Sequence, residues 1–190
     1  MTAGRRAGSG IGLEGGTGNG ASPGGTSRKP SARLLSRAAP ALLLLCAAQG
    51  HAASNKVRIS NISDVAFGTV ANLSADSVQS QSLCVYADTA TNGYNVRASG
   101  SGPGGAFTLA SGSDALPFEV QWSSSAGQSS GTQLSANVAL SGQVSSASQQ
   151  TCNTGPSSTA SLIVVLRSGA LSSAPAGSYN GSLTLLIGPE

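Results

Sequence analysis

The sequence predicts an all-β fold, a two-sheet antiparallel sandwich, and three observations carry that expectation. Apolar residues make up 39% of the 190 positions and charged ones only 9%, and the Val, Ile and Leu residues fall in short runs separated by Gly, Asn and Ser, the punctuation of strands. No long stripe of helical period follows Ala53. The segment 178–187 alternates, with Tyr179, Leu183, Leu185 and Ile187 on one face and Ser178, Asn180, Ser182 and Thr184 on the other. A strand with one apolar face needs cover, and no further strand follows Ile187. The rest of the chain or another molecule has to provide it.

Taken in order, the chain begins with residues 1–33, rich in Gly, Ser and Arg, which read as a disordered leader or an over-extended start. Residues 34–52 give a basic flank, an apolar run of about eleven residues and then small residues, the layout of a secretory signal peptide. Gly50-His51-Ala52 places cleavage after Ala52, and the run is too short to span a bilayer. Leu45 stands where lipid attachment at Cys46 needs a small residue, and Arg5-Arg6 lies too far ahead of the apolar run for twin-arginine export. Cleavage removes the only histidine, His51, together with Cys46, leaving Cys84 and Cys152. In an oxidising compartment this pair reads as a disulfide rather than a metal site, with two free thiols as the alternative.

Charge argues against nucleic acid as a partner. Six of the ten basic residues precede residue 40, whereas from Ala53 onward Lys56, Arg58, Arg97 and Arg167 face Asp64, Asp76, Asp88, Asp114, Glu119 and Glu190, a net charge of −2. That body has no basic stripe to neutralise phosphates.

Residues 56–62 and 64–70 read as one long strand or two short ones, broken at Ser63. Residues 78–87 place Cys84 near the middle of a strand, and Asn92-Gly93 is a hairpin-type turn into residues 94–98. Gly100, Gly102 and Gly105 match a dinucleotide-binding pattern by letter only, since Pro103 and the strand-like Ala106-Phe107-Thr108-Leu109 replace the helix whose N–H groups would hold phosphate. A flexible hairpin loop is the expectation there. Leu116, Phe118, Val120 and Trp122 alternate inward along the next strand, which Pro117 marks as an edge or a start. Residues 123–160 are polar, with a weak strand over 134–140. Residues 161–167 are apolar on both faces, as in a central strand, and Pro175-Ala176-Gly177 turns the chain into the closing strand. Seven or eight strands result.

Catalysis has no visible constellation. No histidine survives cleavage, the six acids are scattered, and serine occurs without a nucleophile elbow or a base. The residues themselves thus lead to a secreted, disulfide-bonded, non-enzymatic β-sandwich with no cofactor.

Four stretches add a resemblance. Phe67-Gly68-Thr69-Val70, the strand holding Cys84, Leu116-Pro117-Phe118-Glu119-Val120, and Ala176-Gly177-Ser178-Tyr179 followed by Gly181, Leu183, Thr184 and Leu185 look like the spore coat protein U family. That family includes pilin subunits of archaic chaperone-usher pili, and the resemblance spans roughly residues 57–190. It implies an immunoglobulin-like sandwich lacking its last strand over residues 65–190. It also implies assembly by a periplasmic chaperone, an outer-membrane usher and other pilin subunits into a pilus on the cell surface, serving adhesion and biofilm formation. Tyr179, Leu183, Leu185 and Ile187 then form an acceptor groove for a foreign strand. Residues 53–64 form either a donor segment, through Val57, Ile59 and Ile62, or the first strand of the fold. One departure stands: family members often pair a cysteine ahead of the Phe-Gly motif with one further on, and after cleavage this chain has none before Cys84. The alternative function is a tip adhesin or a secreted carbohydrate-binding sandwich presenting exposed aromatics.

Overall fold

The computed structural model describes residues 54–190, so the leader expected over 1–33 and the signal peptide expected over 34–52 lie outside the described residues. Among the described residues the elements run β1 (Lys56–Ser60), β2 (Ser77–Asp88), β3 (Gly93–Gly100), β4 (Thr108–Ser111), β5 (Asp114–Pro117), β6 (Glu119–Ser123), β7 (Thr132–Gln133), β8 (Ala139–Val144), β9 (Ala160–Leu166), α1 (Ser168–Ser173) and β10 (Leu183–Pro189). The fold is an all-β sandwich. One sheet has the order β1-β2-β9-β6-β7 and the other β10-β3-β8, while β4 and β5 form a separate ribbon. Every pairing is antiparallel.

Period-2 alternation builds the core. Leu83, Val85 and Ala87 of β2 share one buried cluster with Tyr94, Val96 and Ala98 of β3, so one face of each sheet closes on the other. Trp122, only 1% exposed, donates its indole N–H to the Tyr94 hydroxyl at 3.2 Å, with the rings edge-to-face at 6.4 Å. That bond satisfies the polar tips of two large apolar side chains, and burial pushes the Tyr94 phenol above its ordinary value. All seven residues of β9 are buried, as befits a strand flanked by β2 and β6 whose side chains are covered on both faces.

Cys84 and Cys152 form a disulfide with Cα atoms 6.0 Å apart, closing a loop across 68 positions. Cys84 points away from the core-facing Leu83 and Val85, so the bond fastens the polar β8–β9 connection to the outer face of β2. Two hydroxyls from that connection finish the job where β9 stops. The Val85 N–H donates to Thr159 Oγ1 at 2.9 Å, and its carbonyl accepts from Ser145 Oγ at 2.5 Å and Thr159 Oγ1 at 3.0 Å. Buried backbone groups left without a ladder partner are thereby paired.

Several expected elements are placed differently. Asn92-Gly93 does not make a hairpin, because β2 and β3 lie in different sheets; Asn92, with φ 54°, turns a corner between them. Residues 99–105 are likewise no hairpin loop, since β3 and β4 do not pair and a 3-10 turn at Pro103–Gly105 lies between them. The expected strand over 116–122 breaks at Phe118 into β5 and β6, yet Leu116, Phe118, Val120 and Trp122 are all buried. The weak strand over 134–140 resolves into β7 and β8 on either side of buried Leu134. Only residues 56–60 of the expected amino-terminal strands enter a ladder, and α1 has no counterpart in the expectation. These breaks raise the count from the expected seven or eight strands to ten.

Candidate functional site

The sandwich is closed along one half of β2 and open along the other. β1 pairs with β2 from Lys56↔Asp88 to Ser60↔Cys84 and then stops. Asn61, in the left-handed region with φ 63°, ends the ladder, and residues 61–72 make no backbone–backbone hydrogen bond among the described residues. Their side chains nevertheless alternate. Val65 and Phe67 are half-buried against the core while Asp64, Ala66 and Gly68 are exposed. The segment has the side-chain pattern of a strand without a strand's partner.

Opposite it lies β10, which pairs with β3 from Leu183↔Gly100 to Pro189↔Tyr94 and, among the described residues, has no partner on its other edge. Leu183, Leu185 and Ile187 point inward, half-buried against the core, and Leu186 is 58% exposed. Ahead of β10, Asn180 exchanges backbone hydrogen bonds with Ala110 of β4 at 3.0 and 2.8 Å, and the Tyr179 hydroxyl donates to the Pro175 carbonyl at 2.9 Å. Residues 178–182 are thus tied to the ribbon and not to β3, and the closing strand begins at Leu183 rather than Ser178.

Between residues 62–70 and residues 174–185 runs a groove of about 1170 Å³. Its floor is apolar, made by Leu162, Val164 and Leu166 of β9 with Leu116, Phe118 and Leu109. This volume exceeds the ordinary small-molecule range of about 300–1,000 Å³. The nine-residue wall 62–70 would, if extended, run roughly 30 Å. The groove is a trough with polar backbone edges on both sides and a greasy bottom.

Where the wall returns to β2 it is clipped. Asp76 accepts the Ser168 N–H at 2.8 Å and pairs with Arg167 at 2.7 Å, and Arg167 also pairs with Glu119 at 2.5 Å. The Ser168 N–H, and next the Arg167 guanidinium, hold the Asp76 carboxyl below the ordinary carboxylate range. Glu119, then Asp76, push Arg167 further up. At the other end of β10, the Gly142 N–H donates to Glu190 Oε2 at 2.7 Å and lowers that carboxyl.

The predicted site residues divide accordingly. Tyr179, Leu183 and Leu185 line the groove, and Ile187 continues the same inward face beyond it. Val57 and Ile59 are built into β1 and packed on the core, whereas Ile62 is 53% exposed at the groove. The wall and the β9 floor were not foreseen as parts of one site, although the alternation of Val65 and Phe67 was a visible signal. No group of three or more His, Cys, Asp or Glu gathers into a metal-binding cluster among the described residues.

No family model matches the chain, and no curated protein matches it either. A chain of the solved structure described as a chaperone-tip adhesin complex vital for synergistic activation of CFA/I fimbriae biogenesis is similar to it. The TM-score is 0.47 at 14% identity, over 73% of this chain and 42% of that one. This chain therefore spans less than half of that chain's length.

Proposed function

We propose that this chain is a structural subunit of a surface fibre, an acceptor whose groove takes in an extended segment of another polypeptide. One observation carries the reading: two segments whose backbone edges are unpaired among the described residues, residues 62–70 and the start of β10 at Leu183 and Leu185, face each other across an apolar floor. A strand laid between them would gain main-chain hydrogen bonds on its edges and bury alternate side chains on Leu162, Val164 and Leu166. The resemblance to the spore coat protein U family supports the same assignment. On it, a periplasmic chaperone lends the first strand, an outer-membrane usher receives the subunit, and a neighbouring pilin subunit supplies the lasting strand on the cell surface, serving adhesion and biofilm formation.

With Val57 and Ile59 in β1, the chain acts here as an acceptor; donation through Val57, Ile59 and Ile62 requires β1 to leave β2. The reading involves no catalysis, cofactor, metal or nucleic acid. A carbohydrate-binding role gains little, because Trp122, Tyr94 and Phe118 are buried and Phe67, Tyr86, Phe107 and Tyr179 are partly so, which leaves no fully exposed aromatic among the described residues.

The test is to produce the full chain in a bacterial periplasm, purify it, and add a synthetic strand peptide or co-express a chaperone of the same class. A peptide at a hundredfold its Kd should stabilise by about 2.7 kcal/mol through mass action, and the unoccupied chain should form oligomers as its concentration rises. A monomer that ignores both peptide and chaperone and never oligomerises would falsify the reading.

A further inference from the structure

Within the wall of the groove, residues 62–70, the hydrogen bonds to the rest of the described residues come from one side chain. Continuing the β1–β2 register beyond Ser60↔Cys84 sets Ser63 opposite Gln81. The Ser63 backbone reaches no β2 backbone there. Instead the Gln81 side-chain amide spans the gap: Oε1 accepts the Ser63 N–H at 2.9 Å and the Ser63 hydroxyl at 3.0 Å, and Nε2 donates to the Ser63 carbonyl at 3.0 Å. An amide side chain offers one acceptor and two donors, so it can mimic the N–H and C=O pair of a strand residue, one side chain's length further out. Meanwhile Gln81 pairs through its Cα position with Leu162, a floor residue of the groove. It ties wall and floor together.

We propose that Gln81 is a positioning residue for strand uptake, holding residues 62–70 at the distance from the floor that an incoming strand requires. This rests on the acceptor reading above. Between Asn61 and Asp76 the remaining polar ties are few. Asn61 Nδ2 donates to the Ser157 carbonyl at 3.3 Å, and Asn72 accepts the Ser74 N–H within its own turn. Gly68, at φ +61° with nothing within 4 Å of a built Cβ, adds no packing of its own. Without the Gln81 amide residues 62–70 are held by the half-buried Val65, Phe67 and Val70 and by the ties at either end, at Asn61 and Asp76. An incoming strand then has to order the wall as it binds, and that ordering subtracts from affinity.

The experiment compares the full chain with its Gln81→Ala and Gln143→Ala variants. Each is titrated with a synthetic peptide of residues 55–63 of this chain, with amide hydrogen exchange read at Ser63. The expected result is roughly a tenfold weaker Kd for Gln81→Ala, the size of one or two net hydrogen bonds, with faster exchange at Ser63 and a melting temperature of the free protein near that of the wild type. Gln143→Ala, in β8 and away from the groove, should bind as the wild type does. Should Gln81→Ala fail to fold, Gln81→Met keeps the length and apolar stem without the amide and carries the same comparison. Wild-type and Gln81 variants binding within twofold of one another would overturn the tether and leave the groove reading intact. A wild-type protein that binds no strand peptide would overturn both.

Discussion

The strand β2 belongs to two environments, and the contrast between its halves organises the molecule. Its carboxy-terminal half has β1 on one edge, a buried row of Leu83, Val85 and Ala87 on the core face, and a disulfide on the other face. Its amino-terminal half has β9 on one edge only, its Gln79 is exposed on the face that Leu83, Val85 and Ala87 bury further along, and the residues that follow β1 swing clear of it. Where β1 ends at Ser60 the second edge of β2 loses its partner, although Leu162, Val164 and Leu166 of the neighbouring β9 stay buried. A strand without an edge partner leaves its backbone N–H and C=O groups on that side open to pairing with another segment.

That contrast can be broken by mutation. The largest effect should come from the closed half, where Trp122→Ala removes a fully packed ring and leaves Tyr94 without its donor. A loss of about 3–5 kcal/mol in urea unfolding is expected. Replacing Cys152 by Ser releases the loop closed across 68 positions, and about 2–4 kcal/mol should go with it. In the open half, Leu185→Ala truncates a half-buried side chain on the groove-facing edge strand, and about 1–2 kcal/mol is expected in the absence of any strand peptide. Peptide binding should suffer far more than stability. A stability loss at Leu185 equal to that at Trp122 would mean that the two halves are equally closed.

The smallest effect concerns pH. Asp76 and Glu190 both have carboxyls held below their ordinary values, Asp76 by the Ser168 N–H and then Arg167, Glu190 by the Gly142 N–H. A depressed folded-state value contributes stability that is present above the unfolded value and lost as pH falls through the folded one. The melting temperature should therefore hold between pH 7 and about pH 5 and decline as pH falls through and below the usual carboxylate range of about 4. Asp76→Asn should flatten part of that decline by removing the clip at the open half. An unchanged acid profile in Asp76→Asn would show that the clip carries no stability.

Much of the buried core was legible in the sequence. The double-sided apolar run of β9, the inward series Leu116, Phe118, Val120 and Trp122, and the pairing of Cys84 with Cys152 depend on period and composition, which are local. So does the inward face of β10, where Leu183, Leu185 and Ile187 stand as the alternation required. What escaped were relations between distant segments. Asn92-Gly93 looks the same at a hairpin and at a corner between sheets, because the turn does not record which strands will pair. Val65 and Phe67 alternate as a strand would, and only the missing ladder distinguishes them from one. Gln81 carries no signal in the chain; its role exists only because the register brings Ser63 opposite. The helix α1 is six residues of Ser, Gly, Ala and Leu, too short for a periodic stripe.

The unpaired edge of β10 also has a consequence for handling the protein. Leu183-Thr184-Leu185-Leu186-Ile187 contains no charge and no proline, and short uncharged segments of high β-propensity on a free edge are where chains of one kind stack into fibrils. Pro189 interrupts the run two residues later, which limits how far such stacking can extend along the strand. Storage of the protein at high concentration thus favours self-association along this edge. Slow growth of cross-β material should set in at high concentration and be delayed by Leu186→Lys, which places a charge on the exposed face of that edge.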